Sequence, residues 1–237
     1  NPMARAHGFQ PIDAAGTRRR PPADAYADVR LGGLRGNGRL DGRRVTTRLT
    51  KPRLHSARLD FSLPHFRAGF EEASAYYHVN EAMAYLEALG YRGPRRLFRR
   101  PIEVNARGTR DDNSWYSPGE RTLTFGTGGV DDAEDGETVL HEFGHALQDA
   151  ICPDFGQSQE AAAMGEGFGD YFAGSFFARG KPLGYRDAVM TWDGADGEGD
   201  LPCVRRLDSL LTYESFDHGP HADEHENGQI WSATLWD

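Results

Sequence analysis

Between Val29 and Leu49 apolar residues come in short groups parted by glycine. Val29 and Leu31, then Leu40, then Val45 and Leu49 are separated by Gly32-Gly33, Gly36-Asn37-Gly38 and Asp41-Gly42. Gly and Asn supply the positive φ of tight turns, so this pattern predicts short strands joined by such turns. From Glu71 to Leu89 the period becomes helical. Ala75, Val79, Ala82, Met83, Leu86 and Leu89 recur at three- and four-residue spacing, and Gly90 followed by Pro94 stops the run. Ile102 and Val104 predict a strand. Thr122 and Phe125 predict another, entered through the turn Ser117-Pro118-Gly119-Glu120. A second helix begins near Gly136 and carries Val139, Leu140, Phe143, Ala146 and Leu147. A third covers roughly 160–178, with Met164, Phe168, Tyr171, Phe172 and Ser175 on one side, and a fourth begins near Glu226. Residues 1–25 show no period and read as irregular. Strands precede helices, which predicts an α+β domain rather than alternating βαβ units.

The chain of 237 residues can bury one good-sized core, or two small lobes sharing it. Hydrophobic content of 38% and aromatic content of 11% fit a globular protein rather than a disordered one. No stretch is apolar for long enough to span a bilayer, and no signal-peptide pattern opens the sequence. The chain starts at Asn1-Pro2 and stops at Leu235-Trp236-Asp237 within the fourth helix, so both ends read as cut ends.

The net charge of −9 divides unevenly, at +8 over residues 1–60 and −17 over residues 61–237. Residues 1–60 therefore read as a basic N-terminal segment, either the end of a propeptide or a lead-in, ahead of a domain over 61–237. Arg18-Arg19-Arg20 before Pro21-Pro22 reads as an extended tail or a segment lying against the acidic body. No aromatic or glycine-rich recognition pattern accompanies the arginines, so nucleic acid is not an expected partner. Cys152 and Cys203 are too few for a disulfide scaffold; they form one bridge or remain two thiols.

The second predicted helix contains His141-Glu142-Phe143-Gly144-His145. One helical turn places the two imidazoles above one another, where both can point a nitrogen at one metal ion. Glu142 is rotated by about 100° and stands beside that point, where a general base for an activated water belongs. The competing reading is an exposed helix with a histidine pair. A catalytic zinc takes three protein ligands and keeps one position open. No His follows at the spacing His-x-x-Gly-x-x-His, but Gly165-Glu166-Gly167-Phe168-Gly169-Asp170 on the third helix offers Glu166. Asp170 shares its face and can accept the free ring N–H of a ligating His, fixing its tautomer.

His141-Glu-Phe-Gly-His145 followed by Gly165-Glu-Gly-Phe-Gly-Asp170 resembles the gluzincin zinc metallopeptidases, and most nearly their fungalysin-like, thermolysin-related branch. Asp223-Glu224-His225-Glu-Asn-Gly228-Gln-Ile-Trp231 is similar to that branch's Glu-x-His-x-x-Gly-x-x-Trp segment. The resemblance spans roughly 61–237. It implies a secreted endopeptidase acting on proteins or peptides, with Zn²⁺ on His141, His145 and Glu166 and Asp170 behind them. It implies that Glu142 draws the proton from a metal-activated water and returns it to the leaving amine, while His225 stabilises the oxyanion. Asn113, in Asp112-Asn-Ser-Trp115, is similar to the Asn that holds substrate backbone along an edge strand. The implied fold is a thermolysin-like two-lobe α+β enzyme, a small antiparallel or mixed sheet with active-site helices, its C-terminal lobe truncated here. Phe168-Gly169 replaces the branch's Trp-Ser, Gly156 stands near the place of an assisting tyrosine, and His218 and His221 lie close to His225.

Asp193-Gly-Ala-Asp196-Gly-Glu198-Gly-Asp200 is an acidic, glycine-rich loop that could wrap Ca²⁺. The acids Asp131, Asp132, Glu134, Asp135 and Glu137 are explained by the dipole at a helix start. His78 reads as a packed or capping residue. Two rival readings remain: a non-catalytic zinc-stabilised binding domain of a larger secreted protein, and a protein with no metal. Sequence leaves the oligomeric state open.

Overall fold

The computed structural model describes residues 19–196 and 203–237. Among the described residues, four α-helices and two small sheets make a mixed α+β fold. Strands β1 (Val45–Thr46), β2 (Ile102–Asn105), β3 (Trp115–Ser117) and β4 (Thr122–Thr124) form one sheet in the order β1-β2-β4-β3. β1 and β4 both run parallel to β2, while β3 is an antiparallel edge strand, with Tyr116 opposite Leu123.

Helix α1 (Phe70–Ala88) connects β1 to β2, whose parallel pairing requires such a crossover. The order of strands and helices along the chain hid this one βαβ unit. It also brings residues from before position 61 into the sheet. Over 29–49 only β1 forms a strand, beside two isolated bridges, Leu34 to Gly42 and Asp41 to Thr46. Gly33, Gly36 and Gly38 all take positive φ, so the chain turns too often to extend a ladder.

α1 buries Ala75, Tyr76, Val79, Ala82, Met83 and Leu86 against the sheet core of Leu40, Val45, Val104, Leu123 and Phe125. Leu89 falls beyond the last turn and is 58% exposed. Tyr91 N donates to Leu86 O and Gly90, with positive φ, donates to Glu87 O, a Schellman stop. At the helix start, buried Glu72 accepts from Thr47 Oγ1 at 2.6 Å and Leu54 N at 2.7 Å. That pairing fastens the N-terminal segment to the body.

Helix α2 (Gly136–Ile151) is capped by Asp135, whose side chain accepts from Glu137 N, and α3 (Gln159–Phe177) by Ser158, which accepts from Ala161 N. α2 is buried from Glu137 through Gly144 and again at Ala146 and Leu147, because α1 and β4 cover one side and α3 the other. Helix α4 (Glu224–Trp236) lies along α3. The close approach is made by glycines. A Cβ on Gly167 would stand 2.5 Å from Gly228 O, and one on Gly228 would stand 2.8 Å from Glu166 Cβ. Gly167→Ala should cost about 1–3 kcal/mol through backbone displacement, lowering Tm by roughly 3–10 °C in a thermal melt. An unchanged Tm would show that the crossing is loose.

Strands β5 (Ala188–Val189) and β6 (Arg205–Arg206) form a second, antiparallel pair. Cys152 and Cys203 are both free thiols. Among the described residues no helix is long and apolar enough to cross a membrane.

The acids before α2 do more than face a helix dipole. All five are buried, so each needs its own partner. Asp135 Oδ2 accepts from Trp192 N at 2.9 Å and Asp193 N at 3.1 Å, and Glu134 Oε2 from Trp192 Nε1 at 3.1 Å. Glu137 pairs with buried Lys181 and accepts from Met190 N at 2.9 Å. Together they moor the 188–193 segment to the foot of α2. His78 is packed between Tyr77 and Phe177, and burial pushes its pKa down to about 4.

Candidate metal centre

Helical geometry in α2 brings His141 and His145 together, with their Nε2 atoms 3.2 Å apart. α3 passes close enough to add a carboxylate because its small residues permit it. A Cβ on Gly144 would stand 3.0 Å from Gly169 Cα, and one on Gly169 would stand 2.8 Å from His141 Nδ1. Glu166 Oε2 therefore lies 3.0 Å from His141 Nε2, and Oε1 lies 3.4 Å from His145 Nε2. These three donors form one of two groups of potential metal-ligating side chains among the described residues.

For an ion with ligands at 2.0–2.1 Å in tetrahedral array, ligand atoms are separated by about 3.3 Å. The three measured edges bracket that value. Two imidazoles and a carboxylate are also the donor types that zinc takes, so these residues fit the ion.

Behind these three side chains, Asp170 Oδ1 accepts from His141 Nδ1 at 2.9 Å. That bond leaves His141 Nε2 free to face the centre, and it makes the ring a stronger donor. Asp170 is itself held by Arg205 of β6, through Nε to Oδ2 at 2.6 Å and Nη2 to Oδ1 at 2.8 Å. Arg205 escaped sequence reading because it lies in a segment with no period, and only the β5–β6 pairing delivers it to α3.

The charges are tightly coupled. Burial opposes ionisation of Asp170, but its bonds to His141 and Arg205 hold the carboxyl well below the usual carboxylate range. Burial works against a charged His141 too, yet Asp170 and Glu166 together raise it to about 10. Burial, reinforced by the charge on His141, pushes His145 down to about 4. For Glu166, burial is outweighed by His141 and the neighbouring imidazoles, which pull it down to about 2. Burial pushes Glu142 up to about 7, with Glu166 adding to the effect and His141 and Arg205 opposing it. Glu142 is 6% exposed and accepts no hydrogen bond from the described residues, so its carboxylate is uncommitted.

His225 stands in the first turn of α4, 47% exposed at its side chain, with Nε2 3.4 Å from Glu166 Oε2. Asp223 caps that helix by accepting from His225 N at 2.8 Å, and lies 3.1 Å from His225 Nδ1. His218 instead packs on the Phe216 ring. Of the two, His225 is the ring that reaches Glu166.

Asn113 is exposed, two residues before edge strand β3, and its side chain makes no hydrogen bond with the described residues. Its backbone packs on Gly126, where a Cβ would stand 2.8 Å from Asn113 O. Glu198 and Asp200 of the acidic loop lie outside the described residues, while Asp193 lies within them.

No protein-family model matches the chain, and no curated protein matches it.

Proposed function

We propose that the chain is a zinc-dependent endopeptidase of the gluzincin type with fungalysin-like motifs, hydrolysing peptide bonds in protein or peptide substrates. The observation that carries this reading is the convergence of His141, His145 and Glu166, from two helices, at tetrahedral edge distances. Held by His141, His145 and Glu166, a zinc ion would supply Lewis-acid activation of water and of the scissile carbonyl.

The chain's own residues would do the rest. Glu142 accepts the proton of the attacking water and hands it to the leaving amine. His225, oriented by Asp223 at Nδ1, would meet the developing oxyanion through its ring edge. β3, an edge strand of the sheet among the described residues, would pair with an extended substrate, with Asn113 at its entry. On the same reading the fold is thermolysin-like in two lobes, and the enzyme acts outside the cell.

Elemental analysis of purified protein tests the centre, with one zinc per chain expected. Cleavage of a protein substrate should stop with chelator and return with zinc. A metal-free protein that still cleaves would end the proposal. A non-catalytic zinc domain would keep its metal and show no cleavage; such sites usually hold four protein ligands and need no carboxylate at position 142. Asp170→Asn should weaken zinc binding by roughly 10–100-fold, measured by competition with a chromogenic chelator, because His141 loses its anionic support. Unchanged affinity would mean that the Arg205–Asp170–His141 chain does not tune the ligand.

A further inference from the structure

A second cluster stands apart from the histidines. Asp112 before β3, Asp132 in the turn before α2, and Asp193 after β5 come from three distant stretches of chain. Each places a carboxylate oxygen within 4.8 Å of the others. Ca²⁺ binds oxygens at 2.3–2.6 Å, so two of its ligands can lie up to about 5 Å apart. The cluster fits within that span. Carboxylates alone, with no nitrogen or sulfur, suit a hard cation rather than zinc.

Asp132 points to a ligand independently of this spacing. It is only 3% exposed, and Oδ1 has no hydrogen-bond partner among the described residues. Its other oxygen accepts from Ser114 Oγ and, at 3.4 Å, from Gly126 N. A desolvated carboxylate oxygen without a partner is costly unless a cation meets it. The surroundings are also built to hold this geometry. Asp135 fixes Asp193 through its backbone N–H at 3.1 Å. Gly129, at positive φ, leaves room for Asp112, whose Oδ2 would lie 2.8 Å from a Cβ there.

We propose that Asp112, Asp132 and Asp193 form a calcium site that clamps the lead-in of edge strand β3 to the foot of α2. Water and backbone carbonyls complete the shell that three side chains begin. The clamp would set the edge strand against the helix bearing His141, though calcium binding itself does not depend on the zinc reading.

Terbium luminescence tests it on the whole chain, with zinc supplied in excess to occupy the histidine centre. Trp192, adjacent to Asp193, is the sensitiser. Saturable emission is expected, displaced by Ca²⁺ at concentrations at least 10-fold lower than by Mg²⁺. Asp132→Asn and Asp112→Asn should each weaken calcium displacement at least 10-fold. Asp112 is exposed, so its variant reads the site even where a change at buried Asp132 impairs folding. At one calcium concentration the Tm of the parent protein should rise more than that of Asp112→Asn. Absence of saturable, calcium-displaceable emission, equal displacement by Mg²⁺, or unchanged affinity in Asp112→Asn would overturn the assignment. Because binding is the readout, a protein that proved inactive on peptides would leave this test intact.

Discussion

If the proposed peptidase reading holds, Glu142→Gln should leave zinc binding intact and lower peptide cleavage by roughly 10²–10⁴-fold. Glutamine keeps the shape of the side chain and cannot accept a proton. Glu142 is not one of the three converging donors, so the ion should remain. It accepts no hydrogen bond from the described residues, so its amide leaves no structural bond broken. Paired measurements of metal content and of casein cleavage check both halves. Cleavage at the parental rate would remove Glu142 from the mechanism; loss of zinc would make it a support of the ligands instead.

Lys181→Met destabilises the fold by about 3–5 kcal/mol, the largest stability effect expected of a single change outside the centre. Lys181 and Glu137 are 4% and 3% exposed, and each neutralises the other. Lys181 also donates to Ala188 O, while Glu137 accepts from Met190 N. Met190 takes a φ of 57°, a left-handed conformation that the neighbouring bonds maintain. Removing the ammonium leaves a buried carboxylate alone.

The sign with pH follows from Glu137. Burial raises it from 4.5 to about 7, against the pull of Lys181. The native state thus holds this proton where the unfolded chain has released it, so stability contributed here falls as pH rises through that window. Without Lys181 the window extends upward, so the penalty of Lys181→Met should be larger at about pH 8 than at about pH 5. Urea unfolding at the two values checks this. Equal penalties would show that Glu137 stays neutral beside Lys181. Lys181→Met with Glu137→Gln should recover part of the loss, since the amide carries no charge and can still accept from Met190 N.

Local pattern carried much of the helical architecture. α1, α2 and α3 begin within a residue of the positions that apolar periodicity and stop signals indicate, and α4 begins two residues earlier, at Glu224. The strands were harder to read. β1 is two residues long and β5 and β6 likewise, too short for an alternation to register. Their partners lie far along the chain, as Val45 opposite Ile102 shows.

The spacing of His141 and His145 on a helix is a one-turn relation, and so is that of Glu166 and Asp170. Sequence alone therefore determined which side chains share each face and which residue types could bind a metal. Whether the two faces meet is a matter of helix crossing. Only the tertiary structure decided it, through contacts such as Gly144 against Gly169 that bring two backbones close. The same holds for Arg205, for the Glu137–Lys181 pair and for the three aspartates. Each brings together charged groups remote in sequence. For Arg205 with Asp170 and Lys181 with Glu137 the pairing is needed because burial makes an isolated charge too costly to keep.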